Sequence, residues 1–476
     1  MDIIEQIEKK YPVTEITIDG EQVWPLLRIF YAFSYRRKLA ENSGENVKKD
    51  PGLKKFRSAR FLLHLILLFK GVSVGFFNWF RKYEFIAFGN GIVRRQISGR
   101  RVDPFLDPVI KEIGSDKVLF IELPEQISFF SSRQSFTKHI VYVNLLRIIA
   151  GMHYRLKLIF CKKPKINRND ILDNIGLYLG VNVNPIGIIL SHQSKLFVYN
   201  LLFKLMRPKA ILLIDYYSPE WISAVKAANN LGIKVIEVQH GLIGKEHPAY
   251  NLGCKLDKSY FPDHLLVFGN KELETFSNSY FIKINNVHPV GSFLINYYRT
   301  EYKSDPGLLE QYSVYHVVIG ITLQWVFDNR LINFICKAAE LDDHILYILI
   351  PRRPEDDKYS ARVLPDNVKI ERIKNFYELM SYVDFHSTVN STCALEAPAL
   401  GVQNILVNID KQAEIVYGKI LSDERINRFV NSPEECVNTI RTFPKLDRES
   451  ICGLSEYSFA QHYTDNIHNF VTEYLS

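Results

Sequence analysis

From residue 83 onward, short apolar runs alternate with longer amphipathic stretches. A run such as "YEFIAFGNG" has the length and the β-branched or aromatic composition of a buried strand, and it ends in a glycine turn. A stretch such as "SPEWISAVKAANNLG" has a helical repeat, begins at a Ser-Pro-Glu cap and stops at glycine. Apolar strands that alternate with helices predict a parallel sheet in a doubly wound α/β domain. The other strands predicted in this series are "KVLFIEL", "HIVYVN", "KAILLID", "KVIEVQ", "HLLVFG" and "NNVHPVG".

The series stops at a polar stretch, "YYRTEYKSDPG", and then begins again with "VYHVVIGIT", "ILYILIP", "VKIER", "VDFHST" and "NILVNI". We therefore predict two successive doubly wound α/β domains with a cleft between them. An N-terminal helical segment precedes them, and a last helix is expected to pack back across the domains. The predicted divisions are residues 1–82, 83–300, 301–452 and 453–476.

Composition and cysteine spacing narrow the class of protein. With 47% hydrophobic and 23% charged residues, the chain is predicted to be globular. The six cysteines lie far apart, without a CxxC pair or a His/Cys cluster at zinc spacing. The charged start "MDIIEQIEKKYP" lacks the apolar core of a secretory signal. These features together predict reduced thiols and a cytoplasmic location.

The net charge of +7 belongs to one part of the chain. The first 110 residues contain 19 Lys and Arg against 12 Asp and Glu, whereas the other 366 contain 40 of each. Residues 46–60 carry six basic side chains and one acidic one, and they lead into the apolar run "FLLHLILLFKGVSVGFFNWF". Lys70, Gly71 and Gly75 interrupt that run, which therefore falls short of the roughly 20 apolar residues of a spanning helix.

A basic stretch beside an apolar and aromatic one favours a surface that dips into an anionic membrane leaflet. The alternative is an ordinary core helix with a solvated basic flank. We expect a protein that is peripheral at the inner face of the plasma membrane, with an anionic membrane surface as partner. Nucleic acid is not an expected partner, because the basic residues follow no binding motif of that kind.

Hydroxyl side chains surround a predicted strand-to-helix turn in "DFHSTVNSTCALEAPALG", residues 384–401. Ligands of open α/β sheets bind beyond the carboxyl ends of the strands, and a helix start rich in hydroxyls favours a phosphate. Glu396 lies in the same helix, where a carboxylate can accept hydrogen bonds from ribose. An N-cap with additional serines is the structural alternative. The candidate donor-binding residues here are His386, Ser387, Thr388, Ser391, Thr392 and Glu396.

Paired arginines, Arg352 and Arg353, follow the predicted strand "ILYILIP". Two guanidinium groups at a strand end can hold a diphosphate in bidentate fashion. A surface turn in which they pair with Glu355 or Asp356 is the alternative.

The stretch "KVIEVQHGLIGKEH" ends a predicted strand in Gln239, His240 and Gly241. The near-neutral pKa of histidine suits a general base, so His240 is a candidate catalytic residue, with Glu237 three residues before it. Gln239 and Lys245 are candidate acceptor contacts. A structural turn histidine is the alternative, and strand alternation does not by itself make Glu237 the partner of His240.

Residues 88–107 form a glycine- and charge-rich loop after the first predicted strand. Gly89 and Gly91 allow a close approach of backbone to a ligand, and Arg94 follows, so these three are candidate acceptor-binding residues. Asp103 is a further candidate catalytic carboxylate. A charged surface loop is the alternative. The chain has no GxGxxG fingerprint, no Walker A motif and no DxD motif, so neither a nicotinamide cofactor nor a metal is expected.

Two Rossmann-like domains with a donor loop in the second resemble the GT-B glycosyltransferases. The closer likeness is to bacterial surface-polysaccharide transferases, which include the teichoic-acid glycerophosphotransferases. Their "HGTPLK"-type loop is similar to His240-Gly241-Leu-Ile-Gly-Lys245, which keeps the histidine, glycine and lysine at the same spacing. Asp384 to Gly401 resembles their C-terminal "DySS…EA…G" segment, and Arg352-Arg353-Pro354 replaces their histidine-proline pair. The likeness spans roughly residues 210–410.

The resemblance implies a GT-B glycosyltransferase that needs no cofactor and takes a nucleotide-activated sugar as co-substrate. The implied acceptor is a surface glycan such as capsule or O-antigen, free or lipid-linked. His240 would be the base if the reaction inverts, and a substrate ligand if it retains.

Loss of the histidine-proline pair leaves the donor open between a sugar nucleotide, a CMP-linked acid sugar and the CDP-alditol of a polyol-phosphate transferase. A GT-B-like sugar-nucleotide 2-epimerase and a non-catalytic assembly partner are the rival classes.

Overall fold

In the computed structural model of the chain, the described residues are 3–42, 69, 71–124, 135–161, 164–244, 247–324, 327–352, 359 and 362–475. Most of the predicted basic and apolar membrane-facing segment, residues 43–68 and 70, lies outside them. Two candidate site residues, Lys245 and Arg353, also lie outside.

The first sheet has seven strands, and every neighbouring pair in it is parallel. Its strands in chain order are β1 Phe85–Asn90, β2 Val118–Leu123, β3 Ile140–Tyr142, β4 Ala210–Leu213, β5 Lys234–Val238, β6 His264–Val267 and β7 Val287–Pro289. In space they lie in the order 3-2-1-4-5-6-7, with β1 beside β4. The strands are almost entirely buried and apolar, as expected for a parallel sheet covered on both faces.

Helices cover this sheet and supply the other half of its core. They are α1 Ile3–Lys10, α2 Trp24–Asn42, α3 Leu106–Ile113, α4 Asn144–Phe160, α5 Asn169–Leu179, α6 Pro185–Met206, α7 Ile222–Asn230 and α8 Lys271–Phe276. Two short antiparallel hairpins, Thr17–Ile18 with Glu21–Gln22 and Arg95–Ile97 with Arg100–Val102, complete the described strands of this part of the chain.

The N-terminal helices share the core of the first sheet. Ile4 and Ile7 of α1 and Trp24 of α2 are fully buried in that core. A buried ion pair joins Glu8 of α1 to Arg28 of α2 at 2.7 Å. Arg28 also donates to the carbonyls of Pro248 and Asn251, and the Glu8 carboxylate accepts from the Gly253 N–H. These helices therefore hold in place the segment that follows β5.

The second sheet has six parallel strands in the spatial order 3-2-1-4-5-6. They are β8 Val317–Thr322, β9 Ile345–Ile350, β10 Val368–Ile370, β11 Phe385–Ser387, β12 Gln403–Val407 and β13 Asn427–Val430. Its helices are α9 Phe293–Thr300, α10 Pro306–Tyr312, α11 Asp328–Leu341, α12 Phe376–Leu379, α13 Cys393–Ala399, α14 Gln412–Tyr417, α15 Pro433–Thr442 and α16 Arg448–Leu454. The predicted pair of Rossmann-like doubly wound domains is confirmed.

The chain forms two compact units. The first unit is Met1–Val267, Glu272–Pro289 and Thr464–Ser476, and the second is Phe268–Lys271 and Val290–Tyr463. Helix α17, Tyr463–Tyr474, therefore belongs almost entirely to the first unit. There its Phe470 and Tyr474 rings pack against His264 and His288 of β6 and β7, at centroid distances of 4.8–5.9 Å.

No helix among the described residues is both long and apolar enough to cross a membrane.

Candidate functional site

Each sheet has a topological switch point, where neighbouring strands send the chain in opposite directions. In the first sheet this point lies between β1 and β4, and in the second it lies between β8 and β11. Open α/β sheets bind their ligands beyond the carboxyl ends of the strands at such points. We use two names below: the histidine site is Asp103, Asp215, Tyr217, His240 and His247, and the hydroxyl site is Thr322, Ser387, Thr388, Ser391 and Glu396.

His240 follows β5 by two residues, at the carboxyl edge of the first sheet. Its ring lies near two aromatic side chains, with centroids 6.3 Å from Phe105 and 6.4 Å from Tyr217. Its Nδ1 atom is buried and has no hydrogen-bond partner among the described residues. Burial lowers the pKa of His240, and the backbone of Ile214 partly opposes that change. The imidazole is therefore neutral at physiological pH, with a nitrogen free to take a proton.

Tyr217 and His247 extend this aromatic wall. The Tyr217 ring lies 5.5 Å from His247 and 5.9 Å from Tyr250, and the His247 ring lies 4.9 Å from Tyr250. Burial, with a smaller effect of Arg36, lowers the pKa of His247 to about 4. Its Nδ1 accepts a hydrogen bond from the Ala249 N–H at 3.3 Å. His247 is thus a neutral side chain that helps to close the loop.

The polar atoms of Glu237 and Gln239 form hydrogen bonds within the fold. The Glu237 carboxylate is fully buried and accepts from the Tyr250 hydroxyl at 2.9 Å and from the Tyr216 N–H at 3.3 Å. Burial raises its pKa well above the ordinary value. The Gln239 amide donates to the Gly241 carbonyl at 2.9 Å and to Glu272 at 3.1 Å. Both side chains fix the course of the loop that carries His240.

Asp103 and Asp215 are two buried carboxyls, and the negative charge of Asp103 disfavours ionisation of Asp215. Asp103 is completely buried, and its Oδ1 accepts from the N–H groups of Phe105 and Leu106 at 3.0 Å, where α3 begins. Burial raises its pKa to about 6, although Arg94 acts in the other direction. Asp215 follows β4 at the switch point, and burial followed by the charge of Asp103 raises its pKa to about 7. Each has one oxygen without a partner among the described residues. A carboxyl that titrates near neutral pH suits proton transfer.

The raised pKa of Asp215 predicts a pH-dependent stability. The protonated form is favoured in the fold, so this stabilisation is complete below about pH 4 and is lost as the pH rises through 7. A shift from 3.8 to about 7 amounts to at most about 4 kcal/mol of unfolding free energy. We expect Asp215→Asn to be more stable than the wild type at pH 8 and nearly equal to it at pH 4, as measured by urea unfolding.

A matched control for that variant is Asp343→Asn, whose side chain is 90% exposed. It should leave the unfolding free energy unchanged at both pH values. Destabilisation of Asp215→Asn at pH 8 would contradict the prediction.

Arg94 lies beneath the histidine site as a buried structural cation. Its guanidinium pairs with Asp107 at 3.1 Å and with Glu122, and it donates to the Arg101 carbonyl at 3.1 Å. All three charged side chains of these pairs are fully buried. This candidate acceptor contact is therefore engaged in the core.

Gly89 and Gly91 have local structural roles. A Cβ atom on Gly89 would lie 2.3 Å from the Phe120 ring, so only glycine lets that ring pack against β1. Gly91 begins a short 3₁₀ turn, which Asn90 stabilises by accepting the Ile92 N–H at 3.2 Å.

In the second unit, His386 is a core histidine. Its Nδ1 donates to Asn404 Oδ1 at 2.8 Å, and its Nε2 accepts from the Thr322 hydroxyl at 2.9 Å. The Asn404 amide nitrogen donates to Ala394 and Asn427, which identifies Oδ1 as the acceptor and fixes the histidine tautomer. Burial lowers the pKa of His386 to about 4. Both of its nitrogens are occupied, so it orients the strand ends.

The predicted hydroxyl residues do lie together at the second switch point. Ser387 pairs in register with Ile321 of β8, one residue before Thr322, and Thr388 donates to the Thr322 carbonyl at 3.0 Å. Ser391 accepts weakly from the Cys393 N–H at 3.4 Å, at the start of α13. Thr392 is exposed beside it. The Ser387 hydroxyl is buried without a partner among the described residues, as is the Asn390 amide oxygen.

Glu396 and Arg352 border this cluster. The Glu396 carboxylate accepts from the Tyr377 hydroxyl at 2.9 Å, and the Tyr377 ring stacks on Tyr298 at 5.5 Å. Arg352 is exposed just beyond β9, whose last residue, Ile350, pairs with Thr322. Because parallel strands end at one edge, Arg352 and the hydroxyl site share that edge.

Within the described part of the chain, no group of three or more His, Cys, Asp or Glu residues is placed to hold a metal ion.

Asp215, Tyr217, Phe105 and Tyr377 were not among the site residues predicted from the sequence. The signal for the first two was present, because "DYY" directly follows the predicted strand "KAILLI". The strand-end rule applied to that stretch identifies Asp215 as a switch-point residue. Phe105 and Tyr377 carry no such signal, since tertiary packing alone brings them to the sites.

No protein-family model matches the chain, and no curated protein does. Among solved structures, the glycosyltransferase of kitacinnamycin is 13% identical, with 83% of this chain and 100% of that chain covered and a TM-score of 0.49. The calicheamicin glycosyltransferase is 13% identical, with 83% and 99% covered and a TM-score of 0.48. The UDP-GlcNAc 2-epimerase from Neisseria meningitidis, bound to UDP-GlcNAc, is 12% identical, with 82% and 98% covered and a TM-score of 0.47. At these identities the similarity concerns the fold alone.

Proposed function

We propose that this chain is a GT-B glycosyltransferase that moves a sugar from a nucleotide-activated donor to a surface-polysaccharide acceptor, free or lipid-linked. The observation that carries the proposal is the chemistry of the two switch points. One presents a neutral imidazole with an unpartnered nitrogen, and the other presents clustered hydroxyls with a carboxylate. A base and a phosphate- and ribose-binding cluster are the two parts that such a transfer needs.

The hydroxyl site is proposed to bind the donor. Ser387, Thr388, Ser391 and Thr392 would offer hydrogen bonds to the diphosphate, with Arg352 and Arg353 supplying positive charge. Glu396, oriented by Tyr377, would accept from the ribose hydroxyls. His386 would support this site by fixing Thr322 and Asn404. The charge on the leaving diphosphate is met by these donors, so the proposed reaction needs no metal.

The histidine site is proposed to act on the acceptor. In an inverting transfer, His240 takes the proton from the acceptor hydroxyl as that oxygen attacks the anomeric carbon and the bond to the nucleotide diphosphate breaks. In a retaining transfer, His240 binds substrate. Glu237 and Gln239 would act through the loop they hold, and Lys245 and the segment from Gly89 to Arg94 would border the acceptor.

A sugar-nucleotide 2-epimerase is a second candidate, and the Asp103 and Asp215 pair favours it. Carboxyls with pKa values of about 6 and about 7 can remove and return a proton near neutral pH. Such an enzyme would act on the nucleotide sugar alone, without an acceptor.

Incubation of the purified chain with a panel of nucleotide sugars, with and without a glycan or membrane-lipid acceptor, distinguishes the candidates. Acceptor-dependent release of nucleotide supports the transferase. Isomerisation of the donor without an acceptor would replace it by the epimerase. Absence of binding to any nucleotide, measured by calorimetry, would contradict both.

The lipid-linked form of the acceptor implies that the protein works at the inner face of the plasma membrane, as a peripheral protein on anionic lipid. The basic and apolar segment up to Phe80 was the predicted contact. Phe77 and Phe80 of that segment are exposed, and we include them in the proposed membrane contact.

A further inference from the structure

Two adjacent helices of the first unit, α4 and α6, expose a continuous apolar face. Eight large apolar side chains project from them: Met152, Leu156, Leu158, Ile159, Phe160, Phe197, Leu201 and Leu205. Ile159, Phe160 and Leu205 are 72%, 79% and 68% exposed. Single exposed apolar residues are ordinary, but a contiguous group of this size marks an interaction surface. We call these eight residues the α4–α6 face.

Contacts between the helices show that they run antiparallel side by side. The His153 ring stacks on Phe197 at 4.4 Å, and the Lys157 ammonium donates to the Gln193 amide oxygen at 2.9 Å. This register places Leu205 beside the start of α4, while Phe160 lies at its end. At 1.5 Å per residue, the face is about 22 Å long. On α4, Met152, Leu156 and Ile159 recur at intervals of four and three, Phe160 lies next to Ile159, and Leu158 falls outside this repeat. On α6, Phe197, Leu201 and Leu205 recur at intervals of four, so each helix carries one main stripe.

The charges on the two helices are all of one sign. Neither helix contains an Asp or Glu, and together they carry the basic residues Arg147, Arg155, Lys157, Lys195 and Lys204. Glu220 pairs with Arg147 and Lys195 at one edge. In the described part of the chain, Arg155 and Lys204 have no ion-pair partner, and both are exposed beside the apolar stripes.

We propose that the α4–α6 face lies on an anionic lipid bilayer, with its Leu, Ile and Phe side chains in the headgroup and acyl boundary and Arg155 and Lys204 among the phosphates. Apolar stripes flanked by basic residues are the features that hold a helix pair in the plane of a membrane surface. A second copy of the chain is the less suitable occupant, because a symmetric interface would bring the same positive charges together. The Phe76–Phe80 turn packs beside the strand that leads into α4, since Asn78 donates to the Ile140 carbonyl at the start of β3.

The proposal specifies where the chain meets the membrane on which the proposed function depends. Flotation with vesicles of phosphatidylcholine alone, and of phosphatidylcholine mixed with phosphatidylglycerol, tests it without donor or acceptor. Failure of one proposal is therefore distinguishable from failure of the other. The full chain should float with the mixed vesicles and much less with the neutral ones.

Variants define the surface. Phe160→Ser with Leu205→Ser should weaken vesicle binding at least about tenfold, since each side chain leaves water on binding. The matched control is Val363→Ser with Ile373→Ser, at positions 97% and 93% exposed in the second unit, and it should bind as the wild type does.

Arg155→Gln with Lys204→Gln should weaken binding to the mixed vesicles roughly 25-fold, about fivefold per charge. The same variant should change binding to the neutral vesicles little. Lys303→Gln with Lys419→Gln controls for net charge.

All these substitutions are at exposed positions, so unchanged thermal unfolding is the expected check of their folds. Flotation with neither vesicle, or undiminished flotation of the Phe160 and Leu205 variant, would overturn the proposal. A concentration-dependent dimer in light scattering that this variant abolishes would assign the face to a second copy instead.

Discussion

Replacement of His240 by alanine should lower the turnover of sugar transfer by roughly 10²–10⁴-fold, the usual contribution of a general base. Nucleotide binding should remain nearly intact, because the donor is proposed to lie on the second unit. The physical reason is the Nδ1 atom of a neutral ring, because this nitrogen has no hydrogen-bond partner among the described residues and is available for the acceptor proton. Turnover is measured as acceptor-dependent nucleotide release, and affinity by calorimetry.

His288→Ala is the control for loss of a histidine outside the site. The His288 ring packs against Phe470 of α17 at 4.9 Å. Burial, and to a smaller extent the charge of His264, lowers the pKa of His288 to about 4. This variant should retain wild-type turnover per folded molecule. Unchanged turnover in His240→Ala would remove His240 from the reaction.

The pH profile separates His240 from Asp215 as the base. A base must be unprotonated, so kcat/KM should rise with pH through its pKa and then level off. With His240 as base, this rise lies below pH 6.5, because burial lowers the pKa of the ring. A rise centred near pH 7 that disappears in Asp215→Asn would assign the proton transfer to Asp215.

Arg94→Met should lower the unfolding free energy by about 3–5 kcal/mol, the usual cost of leaving buried charges without their partner. Arg94 is the cation that faces Asp107 and Glu122, and its charge also lowers the pKa of Asp103. Removal of the guanidinium leaves three carboxyls together in the core. Urea unfolding at pH 8 measures the loss, which should be smaller at pH 5, where Asp103 and Glu122 are more protonated because burial raises their pKa values.

Arg425→Met is the matched control. Arg425 pairs with Asp423 at 2.7 Å, but its side chain is 67% exposed, and exposed pairs contribute about 0–1 kcal/mol. Equal effects of the two substitutions would show that the buried cluster beneath the histidine site contributes no more than a surface ion pair.

Much of the fold follows from the apolar pattern alone. Twelve of the thirteen strands of the two sheets coincide with predicted apolar runs, because parallel strands buried on both faces have a strong and simple signal. Strand β13 was not predicted. It is a four-residue edge strand that begins with the polar residues Asn427 and Arg428, so only two apolar residues remain and the apolar signal is absent.

The site was less predictable, because a side chain's role depends on its partners in space. The hydroxyl cluster was found, since strand-end residues close in sequence stay close in the fold. His386 and Arg94 have the residue types of ligand contacts, yet their polar atoms bond to residues at least seven positions away in the chain. The aromatic neighbours of His240 were not predicted for the same reason, because Phe105 contacts the His240 ring from a different strand-end loop.

The placement of α17 has a consequence for synthesis of the protein on the ribosome. The strands of the first unit are complete at residue 289, but the helix that covers His264 and His288 comes from residues 463–474. The whole second sheet must therefore be translated before α17 is available to cover that face of β6 and β7. During translation the His264 and His288 surface is exposed to water for the time needed to make about 170 residues, roughly 10–35 s at 5–20 residues per second. Nascent chains stalled between residues 289 and 463 should consequently bind chaperones more strongly than the full-length chain does.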